Sequence, residues 1–302
     1  MNLQVIISPA KKMRRAGADS AADDVSPRGI PPFPELSGRL AARLKAMDRS
    51  ELQELWRTSD KLTDESLEMT RDLEIPQTPQ DAREPRMAAR LTPALLTYDG
   101  IQYRSMAPEV LDTPALEWLQ RHLWMLSGIH GCARPLDAVM PYRLEMGAKL
   151  SMPAIEAAKQ ASTSGTRGLY QFWGDRIARR IAQAGQVAGT PSGQAKPAPT
   201  PSDVCVVNLA SVEYSKAVTP HLGIAGPNDS PIPCVTCIFG EDLRNGKPVQ
   251  RSTASKAARG SMVRWMAERE IDDPCDLQRF DIGYRHSEEL SREGHLVFMR
   301  KA

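Results

Sequence analysis

The stretch "LSGIHGCARPLD", from Leu126 to Asp137, contains two glycines shortly after an apolar run. The local structure of this stretch determines how the neighbouring segments pack. A helix-hairpin-helix has a similar pattern, because its glycines let backbone N–H groups approach a DNA phosphate. Gly128 and Gly131 are one residue further apart than in the common hairpin, and Pro135 interrupts a following helix. The pattern alone therefore favours a plain glycine-rich turn, with a DNA-binding hairpin and the rim of a catalytic pocket as the alternatives.

The bulk composition is that of an ordinary globular protein, with 302 residues, of which 41% are hydrophobic and 25% charged. Such a chain is long enough for one large domain or two modest ones. The 39 Lys and Arg residues against 37 Asp and Glu residues give a formal net charge of +2, which excludes a general basic coat. Binding of a nucleic acid would therefore require basic residues gathered on one face.

The cysteine count and the hydropathy pattern indicate a cytoplasmic protein. Five cysteines are an odd number in a long chain, which fits a reducing compartment better than a disulfide framework. The N-terminus has no basic region ahead of a long apolar run, so no secretory signal is expected. No run of about 18 apolar residues occurs, so no membrane span is expected either.

Apolar runs and helical periodicity alternate in a way that predicts a mixed α/β or α+β fold with a central mixed sheet. Asn245-Gly246 predicts a β-hairpin. Segment 17–34 is expected to be a surface loop, and 185–202 a flexible low-complexity insertion. Short apolar runs predict strands at 3–7, 204–210, 233–239 and 295–301. Periodicity and composition predict helices at 35–47, 51–73, 114–126, 167–183 and 255–270.

Polar clusters recur where the predicted strands and helices end, which is where binding sites are commonly built. If the cations of these clusters converge, they suit phosphate oxygens, with Arg as a bidentate donor and Lys as a point charge. The sequence alone slightly favours the opposite interpretation, that they are unrelated solvated side chains. The candidate phosphate ligands are Lys11, Lys61, Arg134, Arg143, Lys216, Lys256 and Arg259.

Acidic residues stand beside basic ones in the same clusters. They would act as general acids or bases, chelate a hard cation, or pair with and orient the neighbouring arginines, and we favour the last role. These residues are Asp60, Asp137, Glu145, Asp175 and Glu213.

The remaining motifs give no support for a metal, a cofactor or a common catalytic fold. Cys234 and Cys237 have CxxC spacing, but no second pair follows and no histidine pair stands nearby, so two packed thiols are expected. His122 precedes the quoted stretch and His130 lies within it, and both are expected to be satisfied by local hydrogen bonds. The GxSxG, Walker and GxGxxG motifs are absent. We therefore expect no metal and no cofactor.

Six stretches together resemble the YaaA family of peroxide stress proteins, in the same order and along nearly the whole chain. The longest, "MLSGIHGCARPLDAVMPYRLEMG" at 125–147, is highly specific. The other five are "ISPAK" at 7–11, "SDKL" at 59–62, "LYQFWGD" at 169–175, "VVNLASVEYSKAV" at 206–218 and "KAARGSMVRWM" at 256–266.

The resemblance implies a cytoplasmic protein made under hydrogen peroxide stress, from a family associated with lowering unincorporated intracellular iron. It also implies a single α/β domain, here 1–302, that contains a helix-hairpin-helix and a positively charged cleft and is able to bind DNA. The hairpin then falls on Gly128, Ile129 and Gly131, and the cationic candidates become residues that line the cleft. Sequence-independent DNA binding through backbone phosphates thereby becomes the leading hypothesis.

Three features depart from the family pattern. His130 stands where we expect a tyrosine, so the tip of the hairpin differs in contact or charge. The insertion at 185–202 has no recognised counterpart, and 17–34 is poorly matched. Cys234 and Cys237 are not part of the pattern, so the resemblance implies no peroxide-sensing thiol pair.

We expect a DNA-binding protein rather than an enzyme, without a membrane partner. The alternative is an enzyme of unknown reaction that acts on a phosphate-bearing small molecule in a pocket lined by Lys, Arg and Asp. A closed pocket near Lys11, Asp137 and Lys256 would favour the enzyme, whereas an open basic groove would favour a duplex. Direct iron sequestration ranks last, because the sequence has no clustered ligand set.

Overall fold

A seven-stranded sheet of mixed direction organises the chain. The structure, a computed structural model, describes residues 2–15, 25–153, 165–184 and 204–301. In chain order, strands β1 to β15 are Asn2–Ile7, Lys12–Met13, Thr92–Pro93, Tyr98–Asp99, Leu123–Ser127, Gly131–Ala133, Ala138–Val139, Ser151–Met152, Thr166–Arg167, Val204–Asn208, Cys234–Gly240, Asp242–Arg244, Lys247–Val249, Tyr284–Arg292 and His295–Arg300.

The large sheet has the strand order β14-β15-β11-β10-β1-β5-β6. Strands β15, β11, β10, β1 and β5 run parallel to one another. Strands β14 and β6 flank them at the two edges and run antiparallel to their neighbours. The prediction of a central mixed sheet is therefore confirmed.

Helices cover the sheet, which explains why its central strands are apolar on both faces. Strand β5 is buried at every residue, and so is β10. In chain order, helices α1 to α11 are Pro34–Lys45, Arg49–Trp56, Asp60–Asp72, Pro85–Ala88, Ala94–Thr97, Ile101–Met106, Thr113–His122, Leu169–Trp173, Arg176–Ala184, Val212–Ser215 and Ser252–Glu268. Short 3-10 turns lie at Asp81–Arg83, Pro108–Val110, Thr219–Ile224, Pro227–Asp229 and Pro274–Arg279.

The structure corrects the boundaries of three predicted helices. The helix predicted at 114–126 ends at His122, and the apolar run that follows is strand β5. A short apolar run buried on both sides cannot be assigned by periodicity alone, which explains the error. The helix predicted at 51–73 is divided between α2 and α3 at Arg57, whose φ is 52°. The helix predicted at 167–183 is divided in the same way at Gly174.

The other helices and strands that the sequence predicted are present. The strands at both ends of the chain are present, and Asn245 and Gly246 both have positive φ, as a two-residue hairpin turn requires. The edge strand β14 was not predicted, because its sequence is polar. The insertion at 185–202 and residues 17–24 of the loop predicted at 17–34 lie outside the described residues. Among the described residues, no helix is long and apolar enough to cross a membrane.

Candidate functional site

The loops after β1 and β10 meet at a topological switch point of the sheet. Here the strands that follow β1 in the chain lie on opposite sides of it, β5 on one side and β10 on the other. Open α/β sheets bind ligands at such a point, beyond the carboxyl ends of the strands. Here the backbone N–H of Ser211 donates to the Ser8 hydroxyl at 2.8 Å, and the two hydroxyl oxygens are 3.1 Å apart. These hydrogen bonds fix the two loops to each other at the edge where this architecture places its sites.

A cleft of about 630 Å³ opens beside these loops, within the size range of small-molecule sites. One part of its lining comes from segment 47–57, which contains α2. The other part comes from the loops after β1 and β10 and from segment 143–149. Its lining residues are Lys11, Met47, Glu51, Glu54, Leu55, Trp56, Arg57, Arg143, Glu145, Gly147, Ala148, Lys149 and Glu213.

Glu145 joins two of the predicted phosphate ligands in this cleft. Its Oε1 lies 3.1 Å from Nη2 of Arg143 and 3.4 Å from Nζ of Lys11. The side chain of Arg143 is only 10% exposed and that of Lys11 is 70% exposed, so the first pair is much less screened by solvent. The Nε of Arg143 is shielded from solvent and has no acceptor among the described residues.

Glu213, in the short helix α10 that follows β10, contacts segment 143–149 on the same part of the lining. Its Oε1 accepts a hydrogen bond from the backbone N–H of Gly147 at 3.0 Å. Its backbone carbonyl accepts another from the hydroxyl of Tyr170 at 2.8 Å. Glu145 thus pairs with an arginine, as predicted for these carboxylates, whereas the Glu213 carboxylate accepts from a backbone N–H instead.

Helix α2 supplies the apolar part of the cleft. The helix begins at a capping box, in which the Asp48 side chain accepts from the Glu51 backbone at 2.9 Å and the Glu51 side chain accepts from the Asp48 backbone at 2.8 Å. Trp56 is 4% exposed and anchors the end of the helix in the core. Met47 and Leu55 are half-buried and line the cleft with it.

Buried tyrosines hold the segment that leads into Arg143. The Tyr142 hydroxyl lies 2.9 Å from the Tyr98 hydroxyl and 2.6 Å from the Ser127 hydroxyl. The Tyr103 hydroxyl donates to the carbonyl of Ser8 at 3.0 Å. Burial raises the pKa of Tyr98 to about 12, so this phenol is a neutral hydrogen-bonding group.

The stretch quoted at the outset forms a buried β-hairpin, so the helix-hairpin-helix predicted there is wrong. Strands β5 and β6 pair antiparallel on either side of the turn at 128–130. Ile129 is fully buried, and the Gly128 carbonyl accepts from the indole of Trp173 at 3.0 Å. Gly131 has φ of 69° and packs on the ring of Trp173. This turn therefore has no backbone N–H group placed to meet a phosphate in solution.

The hairpin instead supports the cleft from inside the protein. A Cβ atom added to Gly128 would lie 2.2 Å from the backbone oxygen of Leu144, between Arg143 and Glu145. Only glycine permits that approach of the two backbones. The glycine therefore determines where the two charged side chains stand.

Arg134 and Asp137 are placed outside the cleft. The Arg134 guanidinium lies 3.7 Å from the ring centre of Trp124 and donates to the carbonyl of Arg121 at 2.6 Å. The Asp137 carboxylate accepts from the Arg134 backbone at 2.7 Å, and burial raises its pKa to about 6. Both contacts are internal, so a structural role explains these residues.

The remaining cationic candidates are not among the residues that line the cleft. Lys61, Lys216 and Lys256 are exposed. Arg259 is half-buried, and burial lowers its pKa. The cleft itself contains four cationic and four acidic side chains, so it is mixed in charge rather than basic.

Cys234 and Cys237 are packed thiols, as predicted. Cys237 is 2% exposed, and burial raises the pKa of Cys234 to about 11. A thiol with a raised pKa is a poor nucleophile, because the thiolate is the reactive form. Among the residues that the structure describes, no group of three or more His, Cys, Asp or Glu side chains is placed to hold a metal ion.

The two histidines near the hairpin differ from each other. His122 is satisfied as predicted, since its Nδ1 lies 2.7 Å from the carbonyl of Leu3. For His130 the prediction is wrong, because within the described part of the chain neither ring nitrogen has a hydrogen-bond partner. Its ring faces the edge of Tyr142 at 5.5 Å, and burial lowers its pKa to about 3.

Replacing His130 with phenylalanine is expected to flatten the acid side of the stability profile. The unfolded chain takes up a proton near the ordinary pKa of 6.5, whereas the folded imidazole stays neutral down to about 3. His130 therefore does not lower the free energy of unfolding above pH 6.5. Below that pH it lowers the free energy of unfolding by about 1.4 kcal/mol per pH unit. Urea unfolding measures the drop in the free energy of unfolding between pH 7.5 and pH 5.0. This drop should be about 2 kcal/mol smaller in H130F than in the native protein. H221F is the control variant. An equal drop in the native protein and in H130F would contradict the prediction.

Sequence reasoning found part of this cleft and missed the rest. Lys11, Arg143, Glu145 and Glu213 were identified from their polar clusters. Lys149 was missed, although it follows the "PYRLEMG" cluster by two residues. The lining residues of segment 47–57 carried no such signal, because their apolar members were assigned to a core stripe.

Comparisons with known proteins agree on one family. A family model described as "Peroxide stress protein YaaA" matches residues 3–290. A UPF0246 protein of Desulfitobacterium hafniense is 35% identical over 299 residues, covering 99% of this chain and 98% of that protein. Similar UPF0246 proteins occur in Limosilactobacillus fermentum, at 36% identity over 99% of this chain and 100% of the relative, and in Lachnoclostridium phytofermentans, at 33% over 99% and 96%.

Proposed function

This chain belongs to the family of the peroxide stress protein YaaA, and from that premise we propose that it acts in the peroxide response by binding a phosphate-bearing small molecule in the cleft. The observation that carries the proposal is the state of Arg143. Its guanidinium is nine-tenths buried and contacts one carboxylate, Glu145, while its Nε has no acceptor among the described residues. A guanidinium that lines the cleft with a single carboxylate partner can donate from its remaining N–H groups to a phosphate, which arginine binds in a bidentate manner.

The size and charge of the cleft favour a small ligand over a duplex. Its volume of about 630 Å³ suits a small molecule. A DNA duplex presents a dense line of negative charge, which would meet Glu51 and Glu54 as well as the cations. A ligand with a single phosphate needs to reach only Lys11 and Arg143.

The test is calorimetric titration with inorganic phosphate, pyrophosphate and ribose 5-phosphate. Lys11→Ala is expected to weaken binding about tenfold, the loss of roughly one charge-assisted hydrogen bond. Glu145→Gln is expected to strengthen binding, because the native carboxylate competes for the same two cations. Arg244→Ala, which removes an exposed arginine outside the cleft lining, is the matched control and should change nothing. Absence of binding in both the native protein and Glu145→Gln would refute the proposal.

DNA binding is the second candidate function, and the family resemblance supports it. One structural observation favours it: Lys11, Arg57 and Lys149 are exposed at the cleft, where a phosphate backbone would have access to them. Binding would then weaken with salt, with a log–log slope of about −0.9 per neutralised duplex phosphate. Replacing Arg57 and Lys149 with alanine should make this slope shallower by about 2. An unchanged slope would remove both residues from a DNA interface.

The family resemblance also suggests where this protein acts in the cell and what it protects against. We propose that this protein acts in the cytoplasm, which agrees with its free cysteines, and that it helps to limit iron-driven oxidative damage. A strain that carries Lys11→Ala should then resemble the deletion strain in its sensitivity to hydrogen peroxide.

A further inference from the structure

The cleft combines three kinds of surface, and we propose that its ligand is a free nucleoside phosphate. The phosphate binds Lys11 and Arg143, and the base packs against the apolar side chains of segment 47–57. This inference rests on the proposed function and names the ligand class for the same site.

The anionic end of the ligand is placed by the buried arginine. Arg143 and Lys11 both contact one oxygen of Glu145, at 3.1 and 3.4 Å, so the two cations already converge on a single anionic atom. A phosphate oxygen that displaced the Glu145 carboxylate from that position would make the same two contacts. The other phosphate oxygens would remain available to the exposed Lys149.

Binding of inorganic phosphate alone would not explain the apolar part of the lining. Met47, Leu55 and Trp56 line the cleft from α2 and the residues before it. Met47 and Leu55 remain half-buried, although the rest of the helix packs its apolar side chains into the core. A flat base would cover these two side chains, and aromatic and thioether groups pack favourably on such a surface.

The carboxylates of the cleft can accept hydrogen bonds from the sugar and the base of a nucleotide. Glu54 lines the cleft from α2, as the apolar side chains do, and Glu213 lines it from the other part. Carboxylates accept hydrogen bonds from ribose hydroxyls and from exocyclic amino groups, as in dinucleotide-binding folds. A ligand that carried only negative charge would be repelled by them, whereas a nucleotide presents hydroxyl and amino donors.

The test compares the four ribonucleoside 5′-monophosphates with ribose 5-phosphate, adenosine and inorganic phosphate, by calorimetry of the full chain. At least one nucleotide should bind tenfold or more tightly than ribose 5-phosphate, which lacks the base. The same titration should quench tryptophan fluorescence, because Trp56 lines the cleft.

Variants separate the contribution of the base from that of the phosphate. Leu55→Ala should lower nucleotide affinity about fivefold and leave ribose 5-phosphate affinity unchanged, whereas Lys11→Ala should lower both. Leu36→Ala, a half-buried leucine outside the cleft lining, is the control. Met47→Ala repeats the test if Leu55→Ala does not fold.

The outcomes distinguish this inference from the proposed function. Equal affinity for nucleotides and ribose 5-phosphate would overturn the inference alone and leave phosphate binding intact. Binding confined to single-stranded oligonucleotides would overturn it as well. If no phosphate compound binds the native protein or Glu145→Gln, the proposed function fails and the inference fails with it.

Discussion

Gly128→Ala is expected to destabilise the protein by about 3 kcal/mol or more, a loss at the upper end for a single added methyl group. The added Cβ would lie 2.2 Å from the backbone oxygen of Leu144 and 3.0 Å from its carbonyl carbon. Backbone atoms cannot move aside as the end of a flexible side chain can, so the turn and segment 143–145 must separate. That separation displaces Arg143 and Glu145, and phosphate binding should be lost together with stability.

Urea unfolding of the variant measures the first effect, and the phosphate titration measures the second. Gly223→Ala is the control, because its added Cβ would meet nothing within 4 Å, and its effect should stay within about 0.5 kcal/mol. The experiment also separates the two interpretations of the hairpin. A hairpin that held DNA through exposed N–H groups would lose binding at unchanged stability, and that result would contradict the structure.

Gly260→Ala is expected to cost a similar amount, against the trend of helix propensity. Alanine is favoured over glycine inside a helix by about 1 kcal/mol, so propensity alone predicts a gain. The added Cβ would, however, lie 1.9 Å from the backbone oxygen of Gln102, where α11 crosses α6. The steric cost exceeds the gain, because neither backbone can retreat without opening the contact between the helices.

The matched control for Gly260 is another helical glycine, Gly38 in α1. Its added Cβ would lie 3.2 Å from the amide nitrogen at the end of the Gln77 side chain, which can rotate away. Gly38→Ala should therefore be neutral or stabilising by up to about 1 kcal/mol. Equal effects of the two substitutions on the free energy of unfolding would show that the crossing of α11 and α6 is not sterically limited at Gly260.

Much of the cleft was predictable because its charged residues follow strands or turns. Lys11 comes shortly after β1, and Glu213 shortly after β10, and the carboxyl ends of parallel strands lie at one edge of a sheet. Arg143 and Glu145 were identifiable as a basic and an acidic residue in one cluster. The pairing of Glu145 with Lys11 was not predictable, since it joins residues more than 130 positions apart.

The sequence by itself determined the family, the mixed α/β class and four of the seven strands of the large sheet, because these follow from local motifs and from apolar runs. Only the tertiary structure decided what the quoted stretch does. Its two glycines are compatible with an exposed hairpin and with a buried one, since both need backbone close to another group. The neighbour that approaches Gly128 is the carbonyl of Leu144, and no local pattern encodes that partner. Long-range packing therefore made the stretch a support for the cleft.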